Sequence, residues 1–253
     1  MRVVIVGAAG RMGCAIREAL AHRPEIQLAG AIDREADASR GISTDLDSVL
    51  RGADVMIDFS SPSSTAANLA ACVRHGVAAL VGTTGLGDEA ARAATEASSR
   101  IPVLVAANTS LGVTLLIEFV RQAAKALPAD FDIEITEGHH RHKKDAPSGT
   151  ALALGRAAAD GRGLSFEAVR GSTREGEAPR RAGEIGFSVI RAGDLVGDHD
   201  VLFAGEGERI TLGHQATDRA IFARGALKAA SWLSGRAPGR YQMVDVLGLK
   251  TSA

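Results

Sequence analysis

Between positions 139 and 144 the chain reads His-His-Arg-His-Lys-Lys, which gathers three of its seven histidines and two of its five lysines into six residues. Histidine exchanges protons near neutral pH and lysine supplies both a cation and a proton, so this concentration suits proton transfer to a bound anion. A solvated basic face is the ordinary reason for a charge run. Such a face has no need of histidine, nor of the Ser148-Gly149-Thr150 that follows and reads as a helix start. The N–H groups at Gly149 and Thr150 then suit a carboxylate. Clustered histidines also invite a metal reading, with His139 and His142 as ligands. Arg141, Lys143 and Lys144 would repel a divalent cation, and no cysteine or carboxylate completes a tetrahedral set at familiar spacing, so no metal is expected. A nucleic-acid surface is not expected either, because the cluster lacks aromatics and the chain has one Trp and one Tyr. His22, His75, His199 and His214 stand alone in the sequence and are expected to be structural or surface residues.

A second group of residues lies at the start of the chain. The apolar run Val3 to Val6 leads into Gly7-Ala8-Ala9-Gly10-Arg11-Met12-Gly13 and then a helix-length stretch. Glycines are needed there when backbone N–H groups must approach a pyrophosphate at a helix N-terminus. A tight strand-to-helix turn is the plainer explanation. The dinucleotide reading has its required context, since Asp33 ends the second expected strand twenty residues after Gly13. Asp33 would accept from ribose hydroxyls and favour NADH, whereas Arg34 would pair with a 2′-phosphate and favour NADPH, so both cofactors are expected to be accepted. Gly82-Thr83-Thr84 and Ala106-Ala107-Asn108-Thr109 close two later strands, where ligands of open α/β sheets sit; ordinary turn chemistry explains them equally well.

These residues need elements to position them. Over the first hundred residues, β-branched runs at Val3 to Val6, Gln27 to Asp33, Val55 to Phe59, Ala78 to Gly82 and Val103 to Ala106 alternate with helix-length stretches near 11–21, 63–75 and 88–100. That pattern predicts an α/β fold with a Rossmann-like, doubly wound parallel sheet. After a helix-length stretch from Val113 to Leu127 and a strand, the segment 160–184 shows no periodicity and reads as a mobile loop. Strand-length runs follow at Glu184 to Ala192, Asp200 to Ala204 and Arg209 to His214, with punctuation that suits antiparallel connections in a mixed sheet. The amphipathic stretch Asp218 to Leu233 and the tail through Val244 to Leu249 return to α/β grammar. We therefore expect a dinucleotide-binding domain of residues 1–110 plus 221–253 and a second α+β domain of residues 111–220 for substrate binding and oligomerisation.

Composition narrows the class. Of 253 residues 45% are hydrophobic and 23% charged, the balance of a globular protein. The net charge of −1 gives no pull toward nucleic acid or anionic membrane. Two cysteines, Cys14 and Cys72, are too few for a disulfide framework, and no run is apolar enough for a signal peptide or a membrane span; a cytoplasmic protein is expected.

Taken together, Gly-Ala-Ala-Gly-Arg-Met-Gly at 7–13, Gly-Thr-Thr-Gly at 82–85, Ala-Ala-Asn at 106–108 and Glu-Gly-His-His-Arg-His-Lys-Lys-Asp-Ala-Pro-Ser-Gly-Thr-Ala at 137–151 resemble the 4-hydroxy-tetrahydrodipicolinate (dihydrodipicolinate) reductase family. The resemblance runs through Arg191-Ala-Gly-Asp-Leu-Val-Gly-Asp-His to the late helix with Trp232, departing at Thr109, where an aromatic is common. It implies an NAD(P)H-dependent reduction of a small cyclic dicarboxylate, 4-hydroxy-tetrahydrodipicolinate or its dehydrated form, in the diaminopimelate route of lysine biosynthesis. It further implies that His139 and Lys143 are the proton-transfer pair and that His140, Gly149 and Thr150 contact substrate. Gly7, Ala8, Ala9, Gly10, Arg11, Met12, Asp33, Arg34, Gly82, Thr83, Thr84 and Ala106 to Thr109 would contact cofactor. A homotetramer is expected, both from the resemblance and because the second domain's strands would otherwise leave apolar faces and edges exposed. Closure about hinges near Ser110 to Val113 and Thr217 to Ile221 is expected as well. Two other readings stand beside this one: another two-domain NAD(P)-dependent dehydrogenase acting on an amino acid or polyol, and a nucleotide sensor without turnover, which would have no use for the clustered titratable groups.

Overall fold

The computed structural model describes residues 1–171 and 174–249. In chain order the strands are β1 (Arg2–Val6), β2 (Gln27–Ile32), β3 (Ile42–Ser43), β4 (Val55–Asp58), β5 (Ala78–Val81), β6 (Pro102–Val105), β7 (Asp132–His139), β8 (Ile185–Arg191), β9 (Gly197–Ala204), β10 (Arg209–Ala216) and β11 (Gly239–Tyr241). The helices are α1 (Arg11–Leu20), α2 (Leu46–Leu50), α3 (Pro62–His75), α4 (Asp88–Ser98), α5 (Leu111–Ala126), α6 (Gly149–Gly161), α7 (Phe166–Val169), α8 (Ala220–Leu233) and α9 (Met243–Val246). Two compact units result, one of Met1–Leu111 with the chain from Ala220 onward, the other of Gly112–Arg219. The first expected hinge, Ser110 to Val113, thus falls on the opening turn of α5 rather than in an irregular linker.

The first unit is a parallel sheet in the order β11-β6-β5-β4-β1-β2-β3. Alternation along its strands builds two cores. Val3, Ile5, Val55, Ile57, Leu80 and Leu104 face Ile16 of α1 and Leu227 and Leu233 of α8. Val4, Val6, Met56, Ala79, Val81 and Val103 face Leu50, Leu69, Cys72 and Ala94 of α2, α3 and α4. Because both faces are covered, the strands read as continuous apolar runs. The order reverses between β1 and β4, so the carboxyl ends of those two strands flank a crevice. The expected strands end one residue early, before Asp33, Phe59, Gly82 and Ala106. The two-residue β3 and three-residue β11 were too short to show a period.

The second unit is a mixed sheet in the order β10-β9-β7-β8. β7 runs parallel to β8 and antiparallel to β9, and β9 pairs antiparallel with β10. A parallel pair needs a long crossover, and here α6, α7 and the segment after them supply it. This corrects one expectation. Apart from residues 172 and 173, which lie outside the described residues, the segment 160–184 is not structureless but contains the end of α6 and all of α7, with a bridge from Arg170 to Ile185. Within that segment Arg180 pairs with Asp132 and Glu134, and Arg174 and Arg181 pair with Glu184. β8 and β9 run antiparallel to one another, as the expected mixed sheet requires, with β7 between them. The inner face of the sheet (Ile133, Ile135, Ile185, Val201, Phe203) packs on Leu116 and Val120 of α5 and Ala151, Leu154 and Ala158 of α6.

Candidate functional site

The phosphate-binding candidate stands at the reversal of strand order. Gly7 leaves β1 with φ of +80°, and a Cβ there would lie 2.4 Å from the Phe59 carbonyl oxygen. A Cβ on Gly13 would lie 2.2 Å from the Gly7 carbonyl oxygen, so α1 can start against the loop only without side chains at both positions. Ala8 is buried and Ala9, Gly10 and Arg11 are exposed, with Met12 half-buried on the first turn of α1. Asp33 accepts from the Ala9 N–H at 2.9 Å and the Arg34 N–H at 2.8 Å, which ties the loop to the end of β2. A cavity of about 700 Å³ opens here, lined by Gly7, Gly10, Asp33, Arg34, Phe59 and Asn68 among others. Its dimensions and the side-chain-free cradle fit the adenosine and pyrophosphate half of a dinucleotide.

The sequence reading missed the far wall of that cavity. Buried Asp58, last residue of β4, accepts from the Ser60 backbone N–H at 2.9 Å and from the Asn68 amide at 3.2 Å, and it holds Ser60 and Phe59 toward the loop. The signal was available in the rule that ligands gather at strand carboxyl ends, since Asp58 to Ser60 follow the apolar run of β4. Gly82 and Thr83 are buried beside this wall, where a Cβ on Gly82 would enter the Phe59 ring at 2.2 Å and the Thr83 hydroxyl donates to Asp58. Thr84 and Ala107 are exposed, Ala106 is buried, and Asn108 accepts from the Ser110 N–H at 2.8 Å. Thr109 is buried and its hydroxyl donates to the Phe222 carbonyl at 2.7 Å, so this side chain anchors α8.

In the second unit the inner face of the sheet is apolar until its last two rows, where it turns polar. Glu137 and His139 of β7, His199 of β9 and Arg191 of β8 all project from that face, Glu137 being opposite His199 and His139 opposite Arg191. Glu137 is fully buried and satisfied four times over. It accepts from His139 Nδ1 at 2.6 Å, from both terminal nitrogens of Arg191 at 2.8 Å, and from the Ser148 N–H at 3.0 Å. Burial alone would raise its pKa, but Arg191, His139 and Ser148 outweigh burial and hold the carboxyl below its ordinary range.

His199 corrects the sequence reading outright. It is not an isolated residue but stacks edge-on to His139 with ring centroids 5.1 Å apart and shares a hydrogen bond with the Ser148 hydroxyl at 3.0 Å. Burial, aided by the neighbouring His139, pushes its pKa down to about 4, so it is neutral at physiological pH. Ser148 in turn caps α6 by accepting from the Ala151 N–H at 3.1 Å. Gly149, exposed at the first position of that helix with nothing within 4 Å of where a Cβ would stand, and half-buried Thr150 complete the expected anion-binding turn. Lys143 is half-buried, and its ammonium donates to both Asp145 oxygens at 2.9 Å, which holds that carboxyl below its usual range. His140 is half-buried; burial and then the nearby Arg219 lower its pKa, which favours the neutral ring. The structure therefore gathers His139, His140, Lys143, Gly149 and Thr150 on one strand–loop–helix segment. It adds Glu137 and Ser148 from the same segment, and Arg191 and His199, which only long-range strand pairing brings there. Among the described residues no group of three or more His, Cys, Asp or Glu is arranged to hold a metal ion.

Comparison with known proteins covers both units. The family model for the N-terminus of dihydrodipicolinate reductase matches residues 1–109, and that for its C-terminus matches residues 112–247. A 4-hydroxy-tetrahydrodipicolinate reductase from Zymomonas mobilis is 52% identical over 250 residues, covering 98% of each chain. One from Caulobacter vibrioides is 47% identical over 253 residues, covering 99% of this chain and 98% of its own. Among solved structures, a dipicolinate-bound dihydrodipicolinate reductase from Paenisporosarcina sp. TG-14 superposes with a TM-score of 0.81 at 25% identity, covering 97% of this chain and 98% of that one. An amine dehydrogenase from Mycobacterium smegmatis, at 14% identity and a TM-score of 0.60 over 96% of this chain and 95% of its own, shares the fold alone.

Proposed function

The chain belongs to the dihydrodipicolinate reductase family and is an NAD(P)H-dependent oxidoreductase of lysine biosynthesis, and within that assignment we propose how its own residues carry the reduction of 4-hydroxy-tetrahydrodipicolinate. The 4-hydroxyl leaves as water, the dehydrated ring takes up one hydride and one proton to give tetrahydrodipicolinate, and NADH or NADPH would supply the hydride. The backbone of Gly7 to Met12 would hold the pyrophosphate, with Asp33 and Arg34 at the adenosine end. Gly82 to Thr84 and Ala106 to Thr109 would line the nicotinamide half, Thr109 through its backbone because its hydroxyl is committed to Phe222.

The substrate carries two carboxylates. His140 and the N–H groups of Gly149 and Thr150, backed by the α6 dipole, would receive them. Hydride addition leaves the ring electron-rich, and His139 and Lys143 would deliver the proton that follows. The observation that carries this reading is the meeting, on one short segment, of an imidazole bonded to a buried carboxylate, an ammonium and an open helix N-terminus. A dehydrogenase using one lone lysine or histidine would not need that set. The test is consumption of NADH or NADPH on addition of the cyclic dicarboxylate by wild type, Lys143→Ala and His139→Ala. Loss in both variants with unaltered cofactor binding supports the assignment, and wild-type turnover in both overturns it.

We further assign the first unit to nucleotide binding and the second to substrate binding and to assembly of a homotetramer in the cytoplasm. No helix among the described residues is long and apolar enough to cross a membrane. The sheet face opposite the second unit's helices carries Ile190, 48% exposed, and Leu202. Light scattering should give a tetramer mass, and Ile190→Glu should lower it; a monomer mass for wild type at micromolar concentration would refute the assembly.

A further inference from the structure

The imidazole of His139 has two nitrogens, and only one of them is free to work. Nδ1 meets Glu137 Oε2 at 2.6 Å, and because Glu137 is ionised this nitrogen is the donor. Nε2 points the other way, past Gly197, where even a Cβ would come within 3.1 Å of it. Glu137 is itself held on both oxygens by Arg191 and on Oε1 by the Ser148 N–H, so it cannot swing away from the ring.

We propose that Glu137 and Arg191 form a positioning pair that fixes His139 with Nδ1 protonated and Nε2 as the atom that exchanges the proton. The proposal rests on the reading of His139 as a proton-transfer residue. A carboxylate bonded to one ring nitrogen both selects the tautomer and stabilises the imidazolium. Arg191 opposes the second effect, since its charge offsets that of Glu137 and lies across from His139 in the strand register. Other charged or titratable groups around the ring are His199 on β9, neutral and 5.1 Å away, with His214 opposite it on β10, and Lys143, His140 and Asp145 on the following loop. None of them is bonded to Nδ1. Glu137 touches neither substrate nor cofactor in this scheme and acts only through His139.

The two members predict opposite shifts, which a merely structural role would not produce. In Glu137→Gln the amide no longer stabilises the imidazolium, so the alkaline limb of the kcat profile moves to lower pH by about one unit. In Arg191→Met the carboxylate is left uncompensated and the limb moves to higher pH. Glu137→Gln should also lower kcat by about 10²-fold with KM changed less than threefold, and Glu137→Asp should recover part of the loss. Independently of turnover, ¹⁵N chemical shifts should report an Nδ1–H tautomer for neutral His139 in wild type and its loss in Glu137→Gln. Opposite limb shifts with that tautomer change support the proposal. Unmoved limbs in both variants, or an Nε2–H tautomer in wild type, overturn it; the spectrum decides the matter even where a variant fails to fold. If His139→Ala keeps wild-type kcat, the reading of His139 fails first and the proposal with it, and that result is told apart because it involves neither Glu137 nor Arg191.

Discussion

Replacing Gly13 by alanine sets two effects of known size against each other. Gly13 is the third residue of α1, and alanine is favoured over glycine in a helix by about 1 kcal/mol. Against that gain, the new Cβ would stand 2.2 Å from the Gly7 carbonyl oxygen, 2.6 Å from Ala8 Cα and 2.8 Å from the Ala8 carbonyl carbon. All three are backbone atoms, so no side chain can rotate to relieve the overlap. Restoring ordinary contact requires the Gly7–Ala8 backbone to retreat by about 1 Å, and overpacking of this kind costs about 1–3 kcal/mol. With three backbone atoms inside 3 Å the upper end of that range applies, and the net loss is about 2 kcal/mol. In a chain of this size that lowers Tm by roughly 4–8 °C. The same retreat moves the N–H groups proposed to hold the pyrophosphate, so Kd for NADH should rise at least about tenfold, or 1.4 kcal/mol. Thermal unfolding followed by circular dichroism and NADH titration by calorimetry measure the two quantities. Gly149→Ala is the stability control, because nothing lies within 4 Å of its added carbon and its Tm should stay near wild type. A Gly13→Ala protein as stable as wild type and binding NADH as tightly would refute the close-approach argument for this loop.

Three further outcomes follow from the sites. Lys143→Ala and His139→Ala should each lower kcat by about 10²–10⁴-fold, roughly 3 to 5 kcal/mol of barrier, at unchanged NADH affinity; if Lys143→Ala instead raises KM alone and Lys143→Arg restores it, the lysine only anchors a carboxylate. His199 is depressed from 6.5 to about 4, so it favours folding while neutral, and that contribution, about 3 kcal/mol, should be lost as pH falls from about 6.5 to about 4. Glu137, also depressed, adds its own loss below its ordinary value of 4.5; denaturant midpoints across this range should fall with acid, and His199→Gln should flatten the upper part of the curve. Asp33 is engaged by two N–H groups while Arg34 is exposed, so NADH and NADPH should differ in kcat/KM by less than a thousandfold, and Arg34→Ala should weaken NADPH selectively; a thousandfold preference in wild type would count against it.

The first unit was legible from sequence because its information is local. Buried parallel strands write themselves as apolar runs, and Gly13 is dictated by Gly7 and Ala8, only a few residues away in the chain. β3 and β11 escaped because two or three residues carry no period, and the opening of α5 at Leu111 escaped because Ser110 and Gly112 read as a linker. In the second unit α7 was missed because four residues carry little period. The crossover was missed because Arg174 and Arg180 pair with Glu134, and an ion pair that spans tens of residues leaves no pattern along the chain.

The same distinction divides the candidate site. His139, His140, Lys143, Gly149 and Thr150 were visible because strand end, loop and helix start are consecutive in the chain. Glu137 was half visible, since two residues apart on a strand means one face, and a carboxylate beside a histidine on that face is a reason to suspect a bonded pair. Arg191 and His199 were invisible in principle. Arg191 reaches Glu137 through the parallel register of β8 on β7, and His199 through the antiparallel register of β9, across 54 and 62 residues of chain whose pairing the local pattern does not encode. The consequence is chemical. The sequence showed the groups proposed to touch a substrate, whereas Arg191, which holds Glu137, and His199, which packs on His139, arrive from other strands. Register is strictly specified where one face of a sheet is buried, because a slip of one residue turns the whole face outward. In this unit the apolar rows of Ile133, Ile135, Phe187, Val201 and Phe203 set that register, and by setting it they bring Glu137, His139, Arg191 and His199 into two adjacent rows of one face. The core thus specifies the geometry proposed for proton transfer without touching it, and a one-residue slip of β8 would remove the arginine while leaving every residue of the recognisable motif in place.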